Sequence, residues 1–510
     1  DMGQQVLGPA RALAFGPALP AKSPDLVYSQ LFGDLVLAYP PAAGWLILLA
    51  AAGLIAVAVV RARRIEGFPW MDIARGAGAG LFAALGAMTL LHFARRITGA
   101  AFGFMEQRVL LAQVSRWEIA LILLALGFLL AASSEIGRGR RQIAFLPLAA
   151  GLGSSLSGGF DPVGLGMGVV AALLAVAAYG RPVSRPGAWA GVLILGLVVA
   201  AAAQAFAAPI AYVFAWPLAL AALGAAATDL SARRGVPALI ILAGFAALGV
   251  GWLGGYAHAA FISLDLVELM AIALLGIALL IWPLAQPAEG APPERLIGPA
   301  LIIIGLAVTV AVRVNDPYNP RFPRASDVIY QVDQDARRAW LVSTTPDLPA
   351  WSRAVLTSGG RKISKLTSWI WGQPVDAAPA PYVQQPGPDI TLVKQPDGSL
   401  VLHAVPPPGG RDLSLGLESN TPGLLQSVQG VAADTPLPPG GLVRVGFGAA
   451  PRGLTLVLRP AGPGKLEVSY LAKLDHWPAG AAPLPKRPAD VMAFGDSDST
   501  YLTGVRRFAW

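Results

Sequence analysis

The sequence predicts a polytopic α-helical membrane protein of about ten spans, followed by a soluble β-rich, sandwich-like C-terminal domain. Three observations carry this. Of the 510 residues, 55% are hydrophobic and only 13% charged, with a mean hydropathy of +0.58, whereas ordinary soluble domains carry about 25% charge. From Gly44 onward, apolar stretches near the ~20 residues needed to cross a ~30 Å hydrocarbon core follow one another with short loops between them. After Arg313 the apolar runs shorten and turn residues become frequent, which marks a soluble domain over 314–510.

In chain order, residues 1–40 mix short helical and extended signals and read as a piece of a soluble fold with its linker. The run Gln4–Phe15 (QQVLGPARALAF) reads as an amphipathic helix interrupted by Gly8-Pro9. Asp1 stands first, and nothing near it has the charged start, apolar stretch and small-residue cleavage site of a secretory signal. The sequence is therefore expected to be cut from something longer.

Residues 41–313 form the predicted transmembrane domain. Its ten candidate spans are 42–61, 76–94, 117–135, 143–160, 163–180, 187–207, 209–228, 236–256, 264–285 and 296–313. The fourth is broken by Gly151, Gly153, Gly158 and Gly159, and the sixth and seventh are divided only by Pro209. Eight or nine spans follow if the fourth is re-entrant or the proline joins two half-helices. Loop charges test the count, because Arg and Lys favour the cytoplasmic side. Alternate loops carry Arg61, Arg63 and Arg64, then Arg138, Arg140 and Arg141, then Arg181 and Arg185, then Arg233 and Arg234, then Arg295. The intervening loops hold only Arg95, Arg96, Arg108 and Arg116, all in one loop. Ten spans with both termini outside the cytoplasm fit this alternation, whereas nine would put the termini on opposite sides.

In 314–510 the strand candidates are 327–332, 339–343, 390–394, 400–405, 442–446, 454–458 and 466–471. Pro396-Asp397-Gly398 reads as one hairpin turn and Pro463-Gly464 as part of another. Short strands at such spacing indicate a β-sandwich, and the Pro/Ala-rich stretch 374–388 reads as an exposed connection.

The 38 Lys and Arg exceed the 30 Asp and Glu by +8. In a membrane chain that excess reflects cytoplasmic-loop arginines, so the expected partner is the lipid bilayer and no nucleic acid. The absence of cysteine excludes disulfide scaffolds, thiolate zinc sites and thiol nucleophiles. Asp496-Ser497-Asp498-Ser499-Thr500 imitates the start of an aspartate-nucleophile phosphatase. Only ten residues follow it, so a turn rich in hydroxyl and carboxylate groups is the better reading. The Gly153–Gly159 stretch lacks the G-x-S-x-G register of a hydrolase nucleophile.

Gly76 with Gly80, and Gly164 with Gly168, have the four-residue spacing that lets membrane helices approach closely. Ionisable groups in or near apolar spans are costly to bury and so are functional candidates. They are His92, Glu118, Asp161, Asp265 and Glu268, with His258 in the loop before the ninth span. Asp265 and Glu268 share a helical face; with His258 they could bind a cation or relay protons, but interfacial groups touching water or the soluble domains are the better reading. None of the four histidines stands in an H-E-x-x-H or H-x-D arrangement, so no catalytic and no metal-ligating residue is assigned.

The order of parts and three stretches resemble the membrane-anchored zinc exopeptidases typified by the vacuolar membrane protease and the endoplasmic reticulum metallopeptidase. The stretches are Asp1–Ala14 with Asp25–Tyr39, Asp327–Trp340 with Trp351, and Asp496–Trp510. In that family a di-zinc aminopeptidase-like domain precedes the membrane region, and a β-rich domain closes the chain. The resemblance implies that 1–40 ends an upstream peptidase domain, and that zinc and its ligands belong to that missing domain or to a separate peptidase partner. It also implies peptide substrates reached through that domain. The Ala/Gly/Pro/Arg-rich composition suggests a GC-rich bacterial source, hence a bacterial inner membrane, and the arginine alternation puts both termini on its extracytoplasmic side. The alternatives are a transporter or channel using Asp265, Glu268 and His258, or a non-enzymatic scaffold or receptor whose β-sandwich holds a partner.

Overall fold

The computed structural model describes residues 2–16, 24–31, 35–100, 106–230, 235–264, 267–286, 296–345, 348–448 and 453–510. The chain divides into two units. One comprises Asp1–Phe102 and Gln113–Asn315, the other Gly103–Ala112 and Asp316–Trp510. Residues 1–40 thus fall within the helical unit, and the short segment before Gln113 goes with the C-terminal one.

In the helical unit, α1 (Met2–Phe15) runs on through Pro9, where the sequence reading placed an interruption. A two-stranded hairpin follows, β1 (Val27–Gln30) antiparallel to β2 (Val36–Tyr39). Then come α2 (Ala43–Glu66) and α3 (Trp70–Ile97). The turn between them is closed by Gly67 at φ 69° and by the Arg63 guanidinium, which lies 3.9 Å over the Trp70 ring. The rest of the unit is α5 (Val114–Ile136), α6 (Phe145–Gly158), α7 (Pro162–Ala178), α8 (Arg185–Phe206), α9 (Tyr212–Thr228), α10 (Val236–Leu264), α11 (Val267–Ala285) and α12 (Ile297–Val314). The short α4 (Arg108–Leu111) precedes α5 and belongs to the other unit.

Each of the ten apolar stretches holds a helix over its described residues, but the helices differ in reach. Among the described residues, six helices are long and apolar enough to cross a membrane: α2, α3, α5, α8, α10 and α12. α6 has 14 residues, and α7 and α9 have 17 each. At 1.5 Å per residue these are roughly 21 and 26 Å long, short of a ~30 Å core. The described apolar part of α11 is Leu269–Ala285, within a helix of 19 residues. The sequence explains the shortening. α6 stops at Gly158-Gly159 and α7 starts at Asp161-Pro162, while a 3-10 turn over Ala208–Ile210 separates α8 from α9.

Polar contacts sort into two ends. At one, Arg61 pairs with Asp229 at 3.3 Å, Ser184 Oγ donates to Asp72 Oδ2 at 2.6 Å, Arg141 Nε donates to the Tyr179 carbonyl at 3.0 Å, and Arg185 donates to the Gln286 carbonyl. At the other, Gln204 donates to the Pro41 carbonyl, Gln113 to that of Val312, and Arg313 to that of Ile97. Successive segments therefore alternate in direction.

The central helix is α3, which packs on α5, α6, α7, α8 and α11. Its contact with α8 depends on small residues. A Cβ on Gly76 would sit 2.4 Å from the Ala188 carbonyl oxygen, and one on Gly191 would sit 2.1 Å from that of Ile73. Gly191→Ala should therefore cost on the order of 1–3 kcal/mol by overpacking, read as a lower melting temperature of the detergent-solubilised chain. Gly166→Ala, where nothing lies within 4 Å, should leave the melting temperature unchanged or raised. Equal effects from the two variants would contradict the close α3–α8 contact.

The C-terminal unit is built on two sheets. The eight-stranded sheet has the order β13 (Leu442–Gly448), β10 (Gly410–Ser419), β15 (Lys465–Leu474), β17 (Thr500–Ala509), β4 (Ile329–Asp333), β5 (Arg338–Ser343), β7 (Val375–Ala380), β6 (Ser364–Leu366). The five-stranded sheet has the order β12 (Val431–Leu437), β11 (Gly423–Val428), β14 (Leu454–Pro460), β9 (Leu400–Val405), β8 (Asp389–Lys394). Parallel β3 (Arg324–Ser326) and β16 (Val491–Ala493), and the short α13 (Ala350–Thr357), complete the unit. Alternate residues point inward, as period-two strands require. Leu400, Leu402, Leu454 and Leu456 from one sheet share a single core cluster with Leu413, Leu415, Val468 and Tyr470 from the other.

All seven strand candidates are strands, and Pro396–Gly398 turns between β8 and β9 with Gly398 at φ 84°. Two readings are corrected. Residues 375–380, read as part of a connection, form β7 and pair with β5. Pro463-Gly464 does not close a hairpin, because β14 and β15 lie in different sheets.

Candidate functional site

The costly polar groups of the helical unit gather where α3 ends against the tip of the α6–α7 hairpin. The chain breaks its helix at Gly158-Gly159, with Gly159 at φ 88°, and restarts with Asp161 as the N-cap of α7 and Pro162 in its first turn. Asp161 Oδ1 accepts the Gly164 amide at 3.1 Å. Its Oδ2 lies 2.7 Å from His92 Nε2 and 3.8 Å from Arg96 Nε. His92 and Arg96 are four apart on α3 and so share one face. Arg96 also donates to the carbonyls of Gly158 at 2.6 Å and Gly159 at 3.0 Å, and Ser155 Oγ accepts the Asp161 amide at 3.1 Å.

The His92 and Asp161 side chains are only 8% and 9% exposed. Such a pair, in a poorly solvated site, can hold one proton between carboxylate and imidazole. It can also latch the hairpin tip to α3, because breaking a buried pair leaves an uncompensated charge. Gly164 allows the arrangement, since a Cβ there would sit 2.2 Å from Ser154 Oγ and 2.8 Å from Asp161 Oδ2.

The other candidates fall elsewhere. His258 lies on α10, not in a loop, and its Nδ1 is 2.6 Å from Glu118 Oε1 on α5, with the imidazole 53% exposed. Asp265 lies outside the described residues. Glu268 is on α11, and its side chain lies outside them too. Of the packing glycines, Gly76 meets the α8 backbone and Gly80 the side chains of Val192 and Leu195 at 3.2 Å. Gly164 and Gly168 face α6, where a Cβ on Gly168 would sit 2.6 Å from the Pro147 carbonyl oxygen. Among the described residues, no three His, Asp or Glu side chains are grouped so as to hold a metal ion.

The Asp496–Thr500 motif is a charged turn leading into β17. Asp498 takes a bidentate ion pair from Arg487, whose guanidinium lies 4.1 Å over the Trp351 ring. Asp496 accepts from Arg411 Nη2 at 2.5 Å, Lys473 Nζ at 2.9 Å and Tyr501 Oη. Burial alone would raise the Asp496 carboxyl, but Tyr501, Lys473 and Arg411 outweigh it and lower its pKa from 3.8 to about 2. Burial and the Asp496 carboxylate push the Tyr501 phenol well above its ordinary value.

Comparison of the chain with protein-family models, curated proteins and solved structures finds no match. The functional reading therefore rests on the residues themselves.

Sequence reasoning named His92 and Asp161 but missed Arg96, although its four-residue offset from His92 was visible. It also missed Arg411, Lys473 and Arg487, which lie far from the turn in sequence and carry no local signal.

Two outcomes follow. Asp161→Ala should destabilise the solubilised chain by ~3–5 kcal/mol, the cost of removing one partner of a buried pair. A double-mutant cycle with His92→Ala should return a coupling of ~1–3 kcal/mol, and a coupling near zero would contradict the latch. For Asp496, a folded-state pKa below the unfolded value stabilises the fold above about pH 4, and that gain is lost as pH falls toward 2. Asp496→Asn should lower stability at pH 6 by about 1–2 kcal/mol, with partial exposure screening the rest. It should also flatten the decline between pH 4 and pH 2, followed by fluorescence of Trp371, which stacks on Tyr501.

Proposed function

We propose that the chain is an integral membrane protein whose helical unit anchors an extracytoplasmic β-sandwich. In this reading it is the membrane and terminal portion of a zinc-dependent membrane exopeptidase system. The observation that carries the membrane part is the combination of six membrane-length apolar helices with arginines from alternate loops gathered at one end of the unit. In this reading α6, α7, α9 and α11 run alongside the six, making ten alternating segments with both termini on the outer face. The two sheets that share one core are the two layers of the sandwich.

The exopeptidase part is supported by the order of parts and by the stretches at 1–14 with 25–39, at 327–340 with Trp351, and at 496–510. Zinc in an upstream domain or partner subunit would polarise the scissile carbonyl and supply hydroxide for hydrolysis near a peptide N-terminus. This chain would hold that domain at the outer face of a bacterial inner membrane and shape access to it.

The absence of cysteine makes topology directly testable. Single cysteines at Arg64 and at exposed Thr435 should be labelled by an impermeant maleimide from opposite sides of the membrane, Thr435→Cys in intact spheroplasts and Arg64→Cys only after lysis. Labelling of both from one side would overturn the topology. For the peptidase assignment, a zinc-loaded aminopeptidase-like subunit or domain should co-purify with the native protein from its own membranes. Membranes in which the intact protein carries no such partner or domain would refute it.

A further inference from the structure

The one loop that breaks the arginine alternation carries Arg95, Arg96, Arg108 and Arg116. The structure accounts for the first two within the helical unit. Arg95 is fully buried and donates to the Ala100 carbonyl, and Arg96 binds the hairpin tip. Arg108 instead joins the C-terminal unit, where its guanidinium lies 4.4 Å over the Phe494 ring. There it lines a cavity of about 250 Å³ with Arg321, Leu111, Tyr318, Phe322 and Met492. All of these residues belong to the C-terminal unit.

The charge at this cavity is unbalanced. Asp316, the carboxylate of this loop, is taken by Arg324 at 2.9 and 3.1 Å, and Arg324 in turn lies 4.2 Å over Tyr318. Neither Arg108 nor Arg321 forms an ion pair among the described residues. Two guanidiniums over an apolar floor, with Phe322 44% exposed, match an amphiphile that carries a phosphate. The volume lies below the ~300–1,000 Å³ of drug-sized pockets and suits a headgroup and not a whole lipid. The location agrees with this. Tyr318 stands four residues past the end of α12, and Ala112, also on the cavity wall, two residues before α5 begins, and both helices are membrane-length.

We infer that Arg108 and Arg321 form a binding site for the headgroup of an anionic glycerophospholipid, with both guanidiniums on the phosphate and the apolar floor beneath the glycerol. The inference rests on the membrane reading above. Guanidinium pairs suit phosphate through paired N–H donors, and each juxtamembrane cation adds an electrostatic gain of ~1 kcal/mol toward anionic lipid.

The test uses the full chain in a neutral detergent. It is titrated with short-chain phosphatidylglycerol, with phosphatidylcholine of equal chain length, and with inorganic phosphate as competitor, and bound lipid is read by native mass spectrometry. Wild type should hold one phosphatidylglycerol in preference to phosphatidylcholine. Arg108→Gln/Arg321→Gln should weaken phosphatidylglycerol about ten- to thirty-fold and leave phosphatidylcholine unchanged. Arg108→Lys/Arg321→Lys, which keeps the charge, should stay within about three-fold of wild type, and so should the control Arg116→Gln at the start of α5. Three results would each overturn the site: no preference in wild type, equal binding by the Gln variant, or displacement by phosphate at the concentration at which phosphatidylglycerol binds. Release of the chain from membranes by alkaline carbonate is scored separately, since that outcome strikes the membrane reading and not the cavity.

Discussion

The helical unit depends on how closely other helices approach α3. Lipid tails are as apolar as leucine, so in a bilayer nothing equivalent to the hydrophobic effect presses one helix on another, and small residues that let backbones touch take its place. Gly76, Ala79, Gly80, Ala83 and Ala87 give α3 a bare side, and all five are buried. Gly191 on α8 answers it, close enough that a single methyl group would meet backbone. With α3 placed, the two polar ends follow. Asp72 in its first turn receives both the amide and the hydroxyl of Ser184 and so holds the start of α8. His92 and Arg96 near its last turn hold the tip between α6 and α7. One helix therefore sets the packing and both terminal polar layers.

The C-terminal unit depends on its last strand. β17 lies between β15, which it pairs with antiparallel over ten residues, and β4, which it meets in parallel. The start of the unit near Ile329 and its end near Thr500 are thus neighbours in one sheet, and the sheet stays in two halves until the final residues arrive. Contacts of such sequence separation fold slowly because loop closure precedes any reward from pairing. The charged turn before β17 serves this closure. Asp496 draws in Arg411 from β10 and Lys473 from β15, and Asp498 draws in Arg487. A close approach fixes the strand beyond it, since a Cβ on Gly504 would stand 2.3 Å from the Tyr470 hydroxyl.

Much of this architecture was legible in the sequence, for reasons that particular residues show. Long apolar runs located all ten helical segments, because hydropathy averages over a window and tolerates a stray glycine. The same averaging overstated α6, where the window ran across Gly158-Gly159 to Phe160, although the helix ends at Gly158. The strands LVLHAV and LTLVLRP were found because their inward leucines alternate without interruption. β10 hid its leucines at 413, 415 and 417 among Asp412, Ser414 and Gly416. β7 hid behind Pro379, which lies beyond the stretch that β6 covers, on an open edge where a sheet tolerates proline. The site was half legible. His92 and Asp161 each stood out as costly in an apolar setting, but their union joins residues 69 apart in the chain, and no local pattern announces a contact of that range.

That union also bears on why two short helices can stand among long ones. Helices of 14 and 17 residues cannot carry their connecting tip across a full hydrocarbon core. In the membrane reading, the polar backbone at Gly158 to Asp161 therefore lies close to a region without water, where each unsatisfied group costs several kcal/mol. Arg96 covers two of those carbonyls, Ser155 takes the Asp161 amide, and Asp161 caps the next helix. This leaves a carboxylate that itself needs a partner, and His92 supplies one. Meanwhile Leu156 and Phe160 beside the tip are 88% and 79% exposed, a surface suited to lipid and not to water. The hairpin, its polar tip and the buried pair are thus one arrangement. Any proton-handling by His92 and Asp161 would be built on a contact that the fold already requires.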